Sequence, residues 1–393
     1  MNIKYLVGKQ NVSNKPSVPF GIDECKFLDQ LFLNLNTNDE ANRFADIKAL
    51  AFWCRKKNIE KLKKNFIDNN FRVGLGKLFH ITPSNVPTNF FYSLIIGLLT
   101  GNSNIVKVPT KKFQQVEIIC SAINKVLKKT PTIKNRIAVI RYNSSNTEIT
   151  KKISSNCNGR LIWGGDKSVE DIKKNSTAIK SLDLVFPDRY SLALINAKSI
   201  IKLSKNEILR LSTSFYNDTY LNDQNACTSP HMILWTGSLI EIKKAKENFW
   251  NSLLIIVKKK YNLTNHISSE KLCHLYTLIA KNDNLGKLIS YENLIFTFEN
   301  TKITDKNHEL RGKWGIFFES NIKSLDEVSP FINGKYQTLT YFGYEKKYFQ
   351  NFILKMMPKG IDRIVPVGRS MDINLNWDGY DLKNILTRVI EIS

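Results

Sequence analysis

The chain has 393 residues, of which 42% are hydrophobic and 11% aromatic, and its 58 basic and 35 acidic side chains give a formal charge of +23. That length exceeds one ordinary compact core and predicts two lobes, and that composition excludes wholesale disorder. The charge is compatible with an acidic partner or an anionic substrate. It does not predict a nucleic-acid partner, because lysines are spread along the whole chain and the basic runs at 61–64 and 258–260 lack interleaved aromatics.

In chain order, residues 22–70 read as helices, with Phe27, Leu28, Leu31 and Phe32 recurring on one face and Ile47, Leu50, Phe52 and Trp53 following. They predict a helical cover. Residues 71–79 read as one strand, broken by Pro83. A helix is expected over 88–99, a strand over 103–108 and an amphipathic helix over 116–127. Strand 137–141, helix 146–155 and strand 159–163 continue an alternation that runs to residue 195 and argues for a parallel sheet with helical crossovers. A helix over 205–217 leads to a loop around Cys227, a short apolar strand at 232–235 and a long helix over 238–261. Residues 360–367 read as a returning strand. The expected division is 1–203 (helical segment and nucleotide-binding lobe), 204–370 (catalytic lobe) and 371–393 (return segment).

The N-terminus has no signal-peptide pattern, and the longest apolar run, 90–99, is about half a membrane span. A cytoplasmic protein with reduced thiols and no membrane span is therefore expected. The six Cys show no metal spacing, and Cys273-His274 has no second cluster to complete a zinc site, so no metal is predicted.

Cys227 stands out among the thiols. It sits in Asn222-Asp223-Gln224-Asn225-Ala226-Cys227-Thr228-Ser229-Pro230, among small and amide-bearing residues, just before a strand. That setting suits a nucleophile at the floor of a cleft, able to hold an acyl group as a thioester. A buried structural Cys is the plainer alternative.

Residues 79–109 contain Pro83-Ser84-Asn85, an apolar helix, Gly101-Asn102 and a strand ending in Lys107-Val108-Pro109. This stretch resembles the aldehyde dehydrogenase superfamily. Gly360-Ile361-Asp362-Arg363-Ile364-Val365-Pro366-Val367-Gly368-Arg369, then Trp377-Asp378-Gly379-Tyr380-Asp381-Leu382, with Tyr336-Gln337-Thr338 upstream, resembles the LuxC-type acyl-CoA reductases. The resemblance runs from about residue 73 to the C-terminus.

It implies an α/β, aldehyde-dehydrogenase-like fold. The implied reaction is reduction of an acyl thioester to an aldehyde through Cys227. The acyl group would come from acyl-CoA or from an acylated partner of the acyl-protein synthetase type, and a homo-oligomer is expected. Asn85 matches the oxyanion Asn; without the resemblance it reads as a turn residue before Pro87. Lys107 matches the Lys that contacts the adenosine ribose, with Thr82 and Ser84 beside it as cofactor-binding candidates. Two open alternatives are a CoA-acylating aldehyde dehydrogenase running oxidatively and a non-catalytic basic scaffold.

Gly74-Leu75-Gly76 is only half a dinucleotide fingerprint, because Phe79 stands where the third Gly belongs. Gly164, Gly165 and Asp166, between a strand and a helix, are better placed to approach a phosphate, with Asp166 or Ser168 as the expected helix cap. The region 184–191 carries no Glu to activate water, although Asp188 could substitute. Beyond Lys107 no carboxylate precedes Lys111 and Lys112, which predicts NADPH over NADH. The alternative is that these are two more lysines in a lysine-rich chain.

Overall fold

The computed structural model describes residues 3–66, 70–372 and 374–392. The chain forms two compact units, Met1–Asp188 with Ile373–Ser393, and Arg189–Asp372. Among the described residues no helix is long and apolar enough to cross a membrane, and no cluster of His, Cys, Asp and Glu could hold a metal ion.

The first unit contains strands β1 (Lys4–Val7), β2 (Phe71–Gly74), β3 (Lys77–Ile81), β4 (Ser103–Lys107), β5 (Ile137–Arg141), β6 (Gly159–Trp163) and β7 (Leu182–Phe186). Six of them make a sheet of order β1-β5-β4-β3-β6-β7, parallel except for β1. The expected strand at 71–79 is thus two strands in two sheets. At the break Gly76 has φ +127°, and the Asn102 side-chain oxygen accepts from Leu75 N (2.7 Å) and Gly76 N (3.1 Å). A period-2 pattern cannot register a kink stabilised by a side chain from the turn before another strand.

The helix Asn89–Leu99 lies against this sheet with nearly every residue buried, which is why its sequence is apolar all round. Its Gly97 is obligatory, since a Cβ there would meet Asn104 Oδ1 at 1.9 Å.

The second unit holds β8 (Tyr190–Asn196), β9 (Pro230–Thr236), β10 (Leu285–Tyr291), β11 (Ile295–Asn300), β12 (Ile316–Asn321), β13 (Tyr336–Phe342) and β14 (Arg363–Pro366). Their order is β10-β11-β12-β9-β8-β13-β14, and only the β10–β11 hairpin is antiparallel. Every residue of β9 is buried, as a parallel strand covered on both faces requires. Helices Lys205–Thr219 and Leu239–Lys260 cover one face through Phe215, Phe249 and Trp250; helices Asn265–Lys281 and Lys346–Met356 cover the other through Leu275, Leu278, Phe349 and Phe352. The long helix begins with a capping box of Ser238 and Glu241.

The chain then returns to the first unit. β15 (Asn376–Trp377) and β16 (Tyr380–Asp381) form a hairpin whose turn residues, Asp378 and Gly379, have φ of +53° and +78°. This is the left-handed pair that a two-residue Asp-Gly hairpin demands. β17 (Thr387–Ile390) pairs antiparallel with β2.

A buried polar chain crosses the first unit. Trp163 Nε1 donates to Ser93 Oγ (3.1 Å), Ser93 Oγ bonds His80 Nδ1 (2.7 Å) and His80 Nε2 bonds Asn104 Oδ1 (2.9 Å). Because Asn104 Nδ2 donates to Asn102 O, Asn104 Oδ1 must accept. His80 is therefore the Nε2–H tautomer, with Nδ1 accepting from Ser93. Burial lowers its pKa to about 4, against the pull of the Asn104 bond. The unfolded chain binds this proton first, so the contribution is complete above the unfolded value near pH 6.5 and is lost as pH falls through about 4. The His80 ring resonances are expected to keep the neutral Nε2–H pattern down to about pH 4. His80→Phe should flatten part of the acid limb of the stability profile and cost about 3 kcal/mol at pH 7, read by urea unfolding, because Ser93 and Asn104 lose partners.

Candidate active site

In the first unit, β3, β4 and β5 step one way across the sheet while β6 and β7 step the other. The winding reverses between β3 and β6, and segments leaving their carboxyl ends flank the resulting crevice, where doubly wound sheets bind ligands. Register aligns Ile81 with both Lys107 and Ile162, so the residues that follow β3, β4 and β6 share one edge. The Gly74-Leu75-Gly76 turn precedes β3 and lies at the opposite edge.

Thr82 and Lys107 are brought together: Thr82 donates from N (3.2 Å) and from Oγ1 (2.8 Å) to the Lys107 carbonyl. Both are buried, at 7% and 8% exposure. The Lys107 ammonium lies 5.1 Å from the Tyr142 ring centroid, and burial lowers its pKa. Ser84 and Asn85 are exposed in the segment between β3 and helix Asn89–Leu99. Lys111 is also exposed, with its ammonium 5.3 Å from the Phe113 ring.

After β6, Gly164 and Gly165 lead into helix Asp166–Lys173. The cap is Gly165, not the expected Asp166 or Ser168, and no side chain closes it. Asp166 stands one residue further in, where its charge meets the helix dipole. A Cβ built on Gly165 meets nothing within 4 Å, so open space borders this turn. The edge thus fits a nucleotide: a winding reversal, an uncapped helix start and a buried lysine.

An aromatic group missed by the sequence reading stands at the same edge. Trp163 stacks on Phe186 at 3.8 Å and meets Tyr92 at 5.8 Å. From the C-terminal hairpin, Trp377 reaches Tyr92 at 5.0 Å and Tyr380 reaches Phe186 at 5.7 Å. The Asp-Gly pair flanked by aromatics was the available signal.

In the second unit, Cys227 precedes β9 and lies at the amino edge of the sheet. Its loop is fixed by Asp223 and Gln224, both left-handed, with φ of +52° and +63°. The buried Gln224 amide donates to Pro230 O (3.2 Å) and Ile316 O (3.1 Å) and accepts from Gly315 N (3.2 Å). Asp223 accepts from the Tyr261 hydroxyl at 2.6 Å. The Cys227 carbonyl accepts from Ser191 Oγ (2.6 Å), which itself accepts from Thr338 N (3.2 Å). Backbone and loop are thereby tied across β8, β9, β12 and β13.

Asp218 secures the helix entering this loop. It is buried and accepts from Gly368 N (2.6 Å), Ser370 N (3.0 Å) and Ser370 Oγ (2.8 Å). Burial pushes its pKa up to about 7 against the pull of those donors. Arg363 holds the same turn from the other side, donating to the carbonyls of Ser370 (2.6 Å), Arg369 (3.0 Å) and Asp372 (2.9 Å). Thr228 Oγ1 closes the circuit on Met371 Sδ at 3.2 Å. Arg363 lies in a stretch the sequence singled out. Asp218, Gln224 and Ser191 carried no local signal beyond Gln224's position near the thiol.

The thiols divide by environment. Cys227 and Cys25 are half-buried and Cys273 is exposed, whereas Cys54, Cys120 and Cys157 are buried. Burial raises the pKa of each of the last three.

The profile of the LuxC acyl-CoA reductases matches residues 31–261 of this sequence. The chain belongs to the LuxC family. Its relatives include the long-chain acyl-protein thioester reductases of Vibrio harveyi, 23% identical over 75% of this chain, and of Photorhabdus luminescens, 23% identical over 75%. The matched part makes up 58% of either relative's length, so this LuxC chain spans little over half of those proteins. The 1-pyrroline-5-carboxylate dehydrogenase of Thermus, solved with bound NAD, superposes with a TM-score of 0.62 at 10% identity, over 93% of this chain and 80% of that one. An oxidoreductase from Marinobacter aquaeolei gives 0.63 at 12% identity, over 94% and 82%. The LuxC chain therefore has the aldehyde dehydrogenase fold expected from its sequence.

Gln224→Ala is expected to cost about 3 kcal/mol in urea unfolding, because three buried backbone groups lose their partner. Gln224→Gly relieves the left-handed backbone but not the lost amide, so it should recover only part of that loss. Stability equal to the parent chain in either variant would show that the amide does not pin the loop.

Proposed function

We propose that this chain reduces an acyl thioester to an aldehyde using NADPH, by way of a covalent thioester on Cys227. The observation that carries this reading is the half-buried Cys227 on a loop held by buried side-chain amide and hydroxyl bonds, in a LuxC-family chain. The relatives' names describe acyl-protein thioester reduction, which is the same class of chemistry.

In this reading the Cys227 thiolate adds to the acyl carbonyl, and the incoming thiol leaves as its own thiolate. The transient oxyanion takes a hydrogen bond from the Cys227 backbone N–H and, on the family resemblance, from the Asn85 side-chain amide. A bound nicotinamide supplies the hydride that replaces the Cys227 sulfur on the acyl carbon. Release of aldehyde returns the thiolate. The stretch 184–191 offers no Glu to activate water, and Asp188 is exposed, so hydrolysis of the thioester is disfavoured.

Nucleotide binding is assigned to the first unit, through Thr82, Ser84, Lys107, Lys111 and the Gly164-Gly165-Asp166 turn, and acyl chemistry to the second. The acyl donor is acyl-CoA or an acylated partner enzyme, and the working form is a homo-oligomer. The exposed Lys111, with no carboxylate between it and Lys107, favours a nucleotide with a 2′-phosphate.

Incubation with acyl-CoA in the absence of nucleotide should leave one acyl group on the Cys227 peptide by mass spectrometry. Cys227→Ser should abolish it, and Asn85→Ala should slow it about a hundredfold. An acyl group that survives Cys227→Ser would move the nucleophile elsewhere. For the cofactor, Lys111→Glu is expected to shift the ratio of kcat/KM values toward NADH by about tenfold, or about 1.4 kcal/mol. Equal use of both nucleotides by the parent chain would remove Lys111 from phosphate recognition.

A further inference from the structure

The N-terminal helices flank a half-open cavity of about 400 Å³ with no part in the reading above. It lies between the start of helix Ile22–Asn36 and helix Lys56–Phe66, in the first unit. Part of its wall, from Phe20 to Asp29, precedes the segment matched by the family profile.

Its floor is apolar. Phe20 and Ile59 are 2% and 3% exposed, and the Phe20 ring is fixed edge-on against Phe66 at 5.1 Å. Ile22, which also lines the cavity, is 85% exposed, so an apolar side chain stands uncovered at its mouth. A volume in the small-ligand range with an apolar floor is what a single hydrocarbon chain needs.

Its rim is cationic. Lys26, Lys56 and Lys63 line the opening and are exposed. Lysines that do form ion pairs include Lys174, Lys246, Lys258 and Lys355. Two carboxylates also line the cavity. Asp29 is engaged, accepting from the Lys56 backbone N at 2.9 Å at the start of the second helix. With Glu60 it sets two carboxylates against three ammonium groups, an excess of one positive charge. Cys25 in the wall does not supply the missing negative charge. Burial pushes its pKa up to about 11, although Lys63 pulls it down. The rim therefore calls for an anion carried in by the ligand.

We propose that this cavity is a binding site for a single-chain anionic amphiphile, an alkyl carboxylate whose chain lies on Phe20 and Ile59 and whose head is held by Lys26, Lys56 and Lys63. It is independent of Cys227 and of the proposed reaction.

Cys25 provides the readout, because a bound chain covers it, and the exposed Cys273 is an internal control. The full chain is alkylated with N-ethylmaleimide, with and without laurate below its micelle concentration, and labelling of each Cys peptide is followed in time. Laurate is expected to slow Cys25 labelling at least fivefold and to leave Cys273 unchanged. Dodecanol, which lacks the charge, should protect Cys25 far less. Lys26→Glu with Lys63→Glu, both on exposed residues, should abolish protection by laurate. A Cys25 rate unaffected by laurate would overturn the site. Equal protection by dodecanol, or protection undiminished in the double variant, would overturn recognition of the anion.

Discussion

Parallel strand pairing is the constraint on which both units depend. It places all strand starts on one edge of a sheet and all strand ends on the other, and the polar groups there fall outside the ladder and need other partners. In the first unit the groups in question gather at the carboxyl edge, where Thr82 binds the Lys107 carbonyl and Gly165 begins a helix without a side-chain cap bond. In the second unit it is the amino one, where Ser191, Gln224 and Thr338 tie the Cys227 loop to the beginnings of β8, β9, β12 and β13. One side-chain amide meeting three backbone groups does there what the ladder does elsewhere.

Burial sets the state of several of the thiols. Burial favours the neutral form and raises the pKa of Cys54, Cys120 and Cys157, at Cys120 and Cys157 against the pull of Arg141 and Arg160. The same reasoning applies to His80, kept neutral by burial and given a fixed tautomer by Asn104. Asp218 shows the opposing forces on one group, with burial raising its pKa and three donors lowering it.

The long periodic elements were legible because their patterns report their own burial. Helices Gln114–Leu127 and Leu239–Lys260, and strands β5 and β6, fall close to where the spacing of apolar residues put them. The superfamily fold was legible through the Pro83-Ser84-Asn85 and Arg363 stretches, which resemble the family motifs. What escaped was set by distant partners. The break inside 71–79 depends on the Asn102 side chain, and the cap at Gly165 depends on where the helix starts in space. Asp218 looks like any helical acid until Gly368 and Ser370 arrive from a hundred and fifty residues away. Residues 1–72 offered no motif, yet they build a cavity, because Phe20, Ile59 and three lysines converge only after two helices pack.

The pairing of β2 with β17 has a consequence for synthesis. The second unit is one continuous stretch, Arg189–Asp372, whereas the first is completed by Ile373–Ser393. On the ribosome, the inserted unit has all its strands before its host can close. The earlier-made sheet must wait with β2 unpaired and its aromatic edge lacking Trp377 and Tyr380. A nascent chain stalled just short of β17 would therefore expose the unpaired β2, and a chaperone drawn to apolar surface would find it there.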